Sequence, residues 1–180
     1  MVAYITDSIR IIERKDKVEM YYYESPSSDE LPMIIEAILD ISKKIDSLTI
    51  FFNSKGGEVT TSRVLIRLLK DLYPGKITGI VTSLAGSMAA EIFLECDYKY
   101  MYKNSSLLVH LGTIVVALNY TLNETALEYL IGTSSDVSKY INILTDEELT
   151  LFKAGADILI SAEDLIKRGI AMPYESIKQH

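Results

Sequence analysis

Leu48-Thr-Ile-Phe-Phe-Asn-Ser54, stopped by Lys55-Gly56-Gly57, is the stretch on which the fold turns. It is a short apolar run rich in β-branched and aromatic residues, which is strand chemistry, and two glycines end it. A helical stripe follows at Val64, Leu65, Leu68, Leu69 and Leu72, closed by Pro74-Gly75. Lys76 to Ser83 then reads as a second buried strand. Strands joined by helices of this length pair in parallel, so this segment sets an α/β core. Working outward, Val18 to Tyr23 is an earlier strand ended by the turn cluster Ser25-Pro26-Ser27-Ser28. Leu31, Ile34, Ile35, Ile38, Leu39, Ser42 and Ile45 trace one helical face, with Asp29 and Glu30 at the positive end of its dipole. Ala85-Gly-Ser-Met-Ala-Ala90 opens a third helix reaching about Glu95, and Tyr98 to Lys103 and Leu107 to His110 are further strands. Beyond Thr121 the character becomes helical: Thr121-x-x-Glu124, Thr145-x-x-Glu148 and Ser161-x-x-Asp164 each have capping-box spacing. No linker interrupts the chain, so the expectation is one domain with a helical extension.

With 180 residues, 48% hydrophobic and 24% charged, the chain has the composition of a globular domain. Its formal charge of −7 argues against a phosphate-tracking surface, and nucleic acid is excluded as a partner. One cysteine, Cys96, cannot form an intrachain disulfide, and with only His110 and His180 beside it no zinc site is expected. The scattered charges of Met1 to Lys17 lack the layout of a signal peptide. The longest uncharged run, Asn104 to Asn123, is too polar to cross a membrane. The protein is therefore expected to be soluble and cytoplasmic.

Four features bear on chemistry. His110 is the one imidazole placed within a structured region; it is a catalytic base or a structural histidine. Ser87 stands at a strand-to-helix turn among Ala85, Gly86, Ala89 and Ala90, where the helix amides face developing negative charge; it is a nucleophile or an ordinary N-cap. Gly56-Gly57 lets the backbone turn tightly and aim a bare amide at a ligand, or simply makes a turn. An acid is needed to orient the histidine, and Asp157, which interrupts an apolar run, is either that group or a turn residue. No phosphate loop and no G-x-S-x-G elbow accompanies them.

Taken together, the residues resemble the Clp protease proteolytic subunit (ClpP), a serine peptidase family of the ClpP/crotonase superfamily. The resemblance runs from about Val18 to Pro173. It rests on Phe52-Asn-Ser-Lys-Gly-Gly-Glu-Val59, Ser83-Leu-Ala-Gly-Ser-Met-Ala-Ala90, Asn104-Ser-Ser-Leu-Leu-Val-His110 and the segment from Asp157 to Ile170, in the family's order. It implies a repeated β-β-α spiral core, an axial-loop-like segment over residues 1–17, a single domain over 18–180 and a handle at about 111–150. By the same resemblance Ser87 is the nucleophile, His110 the general base and Asp157 the orienting acid, with the Gly57 and Met88 amides forming the oxyanion hole. The implied activity is that of a serine endopeptidase within a self-compartmentalising, ATP-dependent protease that cleaves unfolded polypeptides or short peptides. It needs no metal and no cofactor on this subunit; a partner AAA+ unfoldase uses the ATP. Heptameric rings pairing into tetradecamers are implied as well, with the unfoldase docking at Phe51, Tyr100 and Tyr102.

The chain also departs from the family. Lys55 stands where proline usually precedes the paired glycines, and Gly112 to Leu118, usually glycine-rich, has one glycine. Gly132 interrupts the handle from Leu122 to Asn142, which weakens the expectation of ring pairing. Thr49, Asp71 and Glu175 fall where the docking surface is usually apolar or aromatic, so docking of a generic unfoldase is expected to be weak, or the partner a dedicated one. Two other readings compete: a catalytically silent ring subunit, and a crotonase-type acyl-CoA enzyme.

Overall fold

A computed structural model describes residues 3–111 and 138–175. The chain divides into two compact units, one formed by Met1–Leu108 with Leu159–His180, the other by Val109–Ile158.

The first unit is built on the strands β3 (Val18–Tyr22), β4 (Leu48–Ser54), β5 (Ile77–Gly86) and β6 (Tyr98–Met101), paired in parallel in that order. Helices α1 (Leu31–Ser42), α2 (Val59–Leu72) and α3 (Met88–Glu95) connect them in succession. That is the alternation expected from the sequence, and it gives a mixed α/β architecture. β1 (Ala3–Ile5) and β2 (Ile9–Glu13) extend the sheet antiparallel on the β3 side. β7 (Ser106–Val109) continues from the far end of β5, β8 (Ile158–Ser161) pairs with β7, and β9 (Met172–Pro173) pairs with β6. α6 (Ala162–Lys167) follows β8; its N-cap Ser161 accepts the Asp164 amide at 3.1 Å.

Side chains alternate across a strand, so neighbouring aromatics on β3 and β4 part company. Tyr22 and Phe52 point to the helical side, where Phe52 meets Phe93 of α3 edge-on at 5.9 Å between centroids. Met20, Ile50, Leu65, Leu69, Val81 and Phe93 are buried with them. At about 1.5–3 kcal/mol for each large side chain removed from water, this layer supplies much of the unit's stability. Tyr21 and Phe51 take the opposite face and stack at 5.0 Å. On that face Glu19 is nearly buried. Desolvation pushes its carboxyl up, but hydrogen bonds from Arg14 and Lys17 outweigh this and hold it below the ordinary value.

Cys96 follows α3 in the core. Its thiol donates to the Ile92 carbonyl at 3.3 Å, and a side chain at Gly79 would meet its sulfur at 2.8 Å. Burial pushes the thiol up to about 12.

In the second unit, α4 (Ser138–Ile141) and α5 (Asp146–Lys153) are joined by a short turn. The expected box at Thr145 is present: its hydroxyl accepts the Glu148 amide at 3.2 Å, and the Glu148 carboxylate accepts the Thr145 amide at 2.8 Å. Tyr140 and Phe152 pack at 5.2 Å between ring centroids, and both are buried. The Thr121 box, the strand from Gly112 to Leu118 and most of the handle from Leu122 to Asn142 lie outside the described residues. Among the described residues no helix is long and apolar enough to cross a membrane.

Candidate active site

Adjacent parallel strands β4 and β5 end side by side, with Ser54 opposite Ala85. Crevices at the carboxyl ends of parallel strands are where α/β sheets present their ligand-binding loops. Here the two loops are Lys55–Glu58, leading into α2, and the single residue Ser87, leading into α3.

Ser87 has φ 51° and ψ −123°, and among the described residues it is the one residue other than glycine with positive φ. An L-residue held there costs about 1–3 kcal/mol, which only an over-determined surrounding sustains. The surroundings supply it. The Ser87 amide donates to the Leu108 carbonyl of β7 at 2.8 Å, and the Ser87 carbonyl accepts the Glu91 amide at 3.1 Å, tying the turn to the helix. The Ser87 side chain makes no cap to its own helix. Met88 is the first helical residue, so its amide has no intrahelical acceptor.

The glycine loop lies against this turn. A Cβ on Gly56 would sit 2.7 Å from Ser87 Cβ and 3.0 Å from the Met88 nitrogen, and one on Gly86 would sit 2.9 Å from the Lys55 carbonyl. Only glycine permits that approach, and Gly56, at φ 101°, also occupies a conformation that side chains disfavour. The Gly56 amide is taken by the buried Ser54 hydroxyl at 3.0 Å. That leaves Gly57 as the next amide along the loop. Of the sequence-predicted residues, Ser87 and Met88 adjoin in the turn and Gly56 abuts both, while Gly57, the next residue, lies against Ser25. A hollow of about 400 Å³ is walled by Asn53, Lys55, Gly56 and Leu84 among others, and neither Ser87 nor Met88 is one of its walls.

His110 and Asp157 belong to the second unit. His110 Nδ1 lies 4.0 Å from an Asp157 carboxylate oxygen, within ion-pair range but beyond a hydrogen bond, and Asp157 is 70% exposed. Phe51 and Tyr100 line a separate hollow of about 280 Å³ on the outer face of the first unit's sheet, together with Thr49, Lys17 and Glu175. Tyr102 stacks on Tyr174, another wall of that hollow, at 4.8 Å. Asp71, on α2, is exposed and is not among those walls. No group of acids, histidines and cysteines suited to a metal occurs among the described residues.

Three residues that the sequence did not single out support the glycine loop. Ser25 donates its amide to the Gly56 carbonyl at 3.3 Å, and its hydroxyl accepts from Tyr22 at 2.9 Å and from Ser62 at 2.7 Å. The sequence shows only a turn cluster at Ser25, and no motif links it to Ser62, 37 residues away.

The chain matches no curated protein. The model of the Clp protease family, in contrast, matches residues 10–172, a span that takes in the Ser87 turn, the glycine loop, His110 and Asp157, and the chain belongs to that family.

Proposed function

We propose that the protein is a serine endopeptidase whose nucleophile is Ser87. The observation that carries this reading is the strained Ser87 turn, with the Met88 amide and the glycine-loop backbone packed against it. Strain of this kind persists where function needs a hydroxyl projected from a fixed frame. In the proposed reaction Ser87 Oγ attacks a peptide carbonyl and His110 takes its proton. The oxyanion accepts hydrogen bonds from the Gly57 and Met88 amides, while Asp157 stabilises the imidazolium. His110 then protonates the leaving amine, and water activated by the same imidazole clears the acyl-enzyme.

The wider setting is proposed with it. The core is the β-β-α spiral with a handle. The chain works in the cytoplasm in a heptameric ring, alone or paired into a tetradecamer, and needs neither cofactor nor metal on this subunit. A Clp-type AAA+ unfoldase docks at the hollow of Phe51 and Tyr100, extended by Tyr102, and spends the ATP. The Lys17 and Glu175 walls favour a dedicated partner over a generic one, because an apolar anchor seated there would desolvate charge.

One observation favours a second reading, a silent ring subunit: the His110 to Asp157 separation exceeds a hydrogen bond. Catalytic contacts often tighten only when substrate binds, so the first reading stands. Fluorophosphonate labelling decides between them. The parent should label and hydrolyse a fluorogenic peptide, and Ser87→Ala should do neither. A folded parent that takes no label, or a Ser87→Ala variant as active as the parent, would overturn the assignment.

A further inference from the structure

Beneath the glycine loop lies a closed triangle of buried hydroxyls that the proposed chemistry does not use. Tyr22 at the end of β3, Ser25 in the loop after it and Ser62 on α2 contribute one hydroxyl each. Their separations are 2.9 Å from Tyr22 to Ser25, 2.7 Å from Ser62 to Ser25 and 3.3 Å between Tyr22 and Ser62. Tyr22 and Ser62 have no exposed surface and Ser25 has 7%. Three polar groups buried together raise a question of purpose, because an apolar trio would fill the same space without desolvating hydroxyls.

Their position supplies an answer. Ser25 touches the glycine loop twice. Its amide holds the Gly56 carbonyl at 3.3 Å, and its Cβ lies 2.8 Å from where a Gly57 side chain would begin. The loop is thus clamped between Ser25 on one side and the Ser87 turn on the other, where Gly56 abuts Ser87 and Met88. Ser25 is itself fixed by the two hydroxyls donating to it, one from a central strand and one from a helix. A loop with two positive-φ glycines is intrinsically loose, and the triangle removes that freedom.

We propose that Tyr22, Ser25 and Ser62 are positioning residues which set the Gly57 amide at the height of the carbonyl attacked by Ser87. The inference rests on the assignment of Ser87 and Gly57 above and extends it to the groups that tune the oxyanion hole. Loosening the triangle leaves the substrate-binding surface in place but misplaces a donor that acts mainly in the transition state. The loss should therefore fall on kcat and spare KM.

The test uses the assembled full chain, with Tyr22→Phe, Ser25→Ala and Ser62→Ala compared against the parent and Ser87→Ala. Tyr22→Phe removes a single oxygen from a packed ring, so it keeps the fold even if a serine variant does not. Folding is checked by thermal unfolding, and kinetics are measured with a fluorogenic peptide. A peptide boronate, whose tetrahedral oxygen occupies the oxyanion hole, is the second probe. We expect kcat to fall about tenfold with KM within about twofold, and the boronate Ki to rise by the same factor as kcat falls. Folded variants with parental kcat, or with reduced kcat but an unchanged boronate Ki, overturn the positioning role while leaving Ser87 as nucleophile. A folded parent that neither hydrolyses peptide nor takes fluorophosphonate overturns the Ser87 assignment and this inference with it.

Discussion

Serine at position 87 holds a backbone that glycine would hold without strain, and the conflict is measurable. Ser87→Gly should be more stable than Ser87→Ala by about 0.5–2 kcal/mol, the relief of positive φ exceeding the added freedom of the unfolded chain. Thermal unfolding of the two inactive variants side by side checks this, with Ser87→Gly melting a few degrees higher. If Ser87→Ala melts higher, the turn is not strained. Gly56 is the mirror case. Gly56→Ala would drive a methyl to 2.6 Å from the Gly86 carbonyl and 2.7 Å from Ser87 Cβ, contacts that only backbone movement can relieve. The variant should lose fluorophosphonate labelling and about 2 kcal/mol or more of stability. Parental labelling in Gly56→Ala would show that the loop and the serine turn are not mutually fitted.

At the scale of elements, the entry to α1 carries a load beyond helix capping. The Ser27 hydroxyl accepts the Glu30 amide at 3.3 Å, and the Glu30 carboxylate accepts the Ser27 amide at 3.0 Å and reaches across to the Ser8 amide at 3.3 Å. The Ser8 carbonyl in turn accepts the amides of Tyr23 and Glu24, so the strap fixes the loop from which Ser25 reaches the glycine loop. Partial burial of Glu30 works to raise its carboxyl, but the hydrogen bonds from Ser27 and Ser8 prevail and bring it to about 2. A depressed acid stabilises above its ordinary value of 4.5 and loses that contribution as pH falls towards 2. Glu30→Gln should therefore melt lower than the parent at pH 7, with the gap closing between pH 4.5 and 2. A gap that stays constant across that range would remove Glu30 as the titrating group.

This strap also marks where sequence reading stops. The alternation of β4, α2 and β5 was legible because burial imposes periods of 2 and 3.6 on apolar residues; Leu65 and Leu69 on α2 are buried, but Val64 of the expected stripe is exposed and Ile66, outside it, is buried. The small residues around Ser87 and the paired glycines were legible as places where backbones approach. Glu30 was visible only as a charge near a dipole, because its bonds to Ser27 and Ser8 are made in a turn ahead of α1. Tyr22, Ser25 and Ser62 were invisible as a set, since no period links a strand end, a loop and a helix 37 residues away. Nor does serine announce positive φ: that conformation is imposed by β7 and α3 from outside the residue.

For the whole molecule, the proposed ring is what can be measured. Ile5, Met33 and Leu159 each expose more than half of their area, but on three different elements of the first unit, and apolar residues scattered singly mark no interface. The expectation of a ring therefore rests on the family and not on these side chains. Sedimentation at micromolar concentration should give a species of at least seven chains, and a dominant 20.2 kDa species would contradict it.

Cys96 has a consequence at the same scale. Its thiol is buried, bonded to Ile92 and raised to about 12, and it is the chain's one cysteine. Thiolate, not thiol, attacks alkylating reagents, so the folded molecule should be inert to iodoacetamide or a maleimide. Each molecule that opens its core exposes one reactive sulfur and acquires one permanent tag. Mass spectrometry of tagged chains over time would then count core openings with no added probe, and tagging should slow as rings assemble at higher concentration. Rapid tagging of the assembled protein would mean that the layer between α3 and the sheet breathes on its own. Slow tagging would make Cys96 a natural clock for the lifetime of the native state.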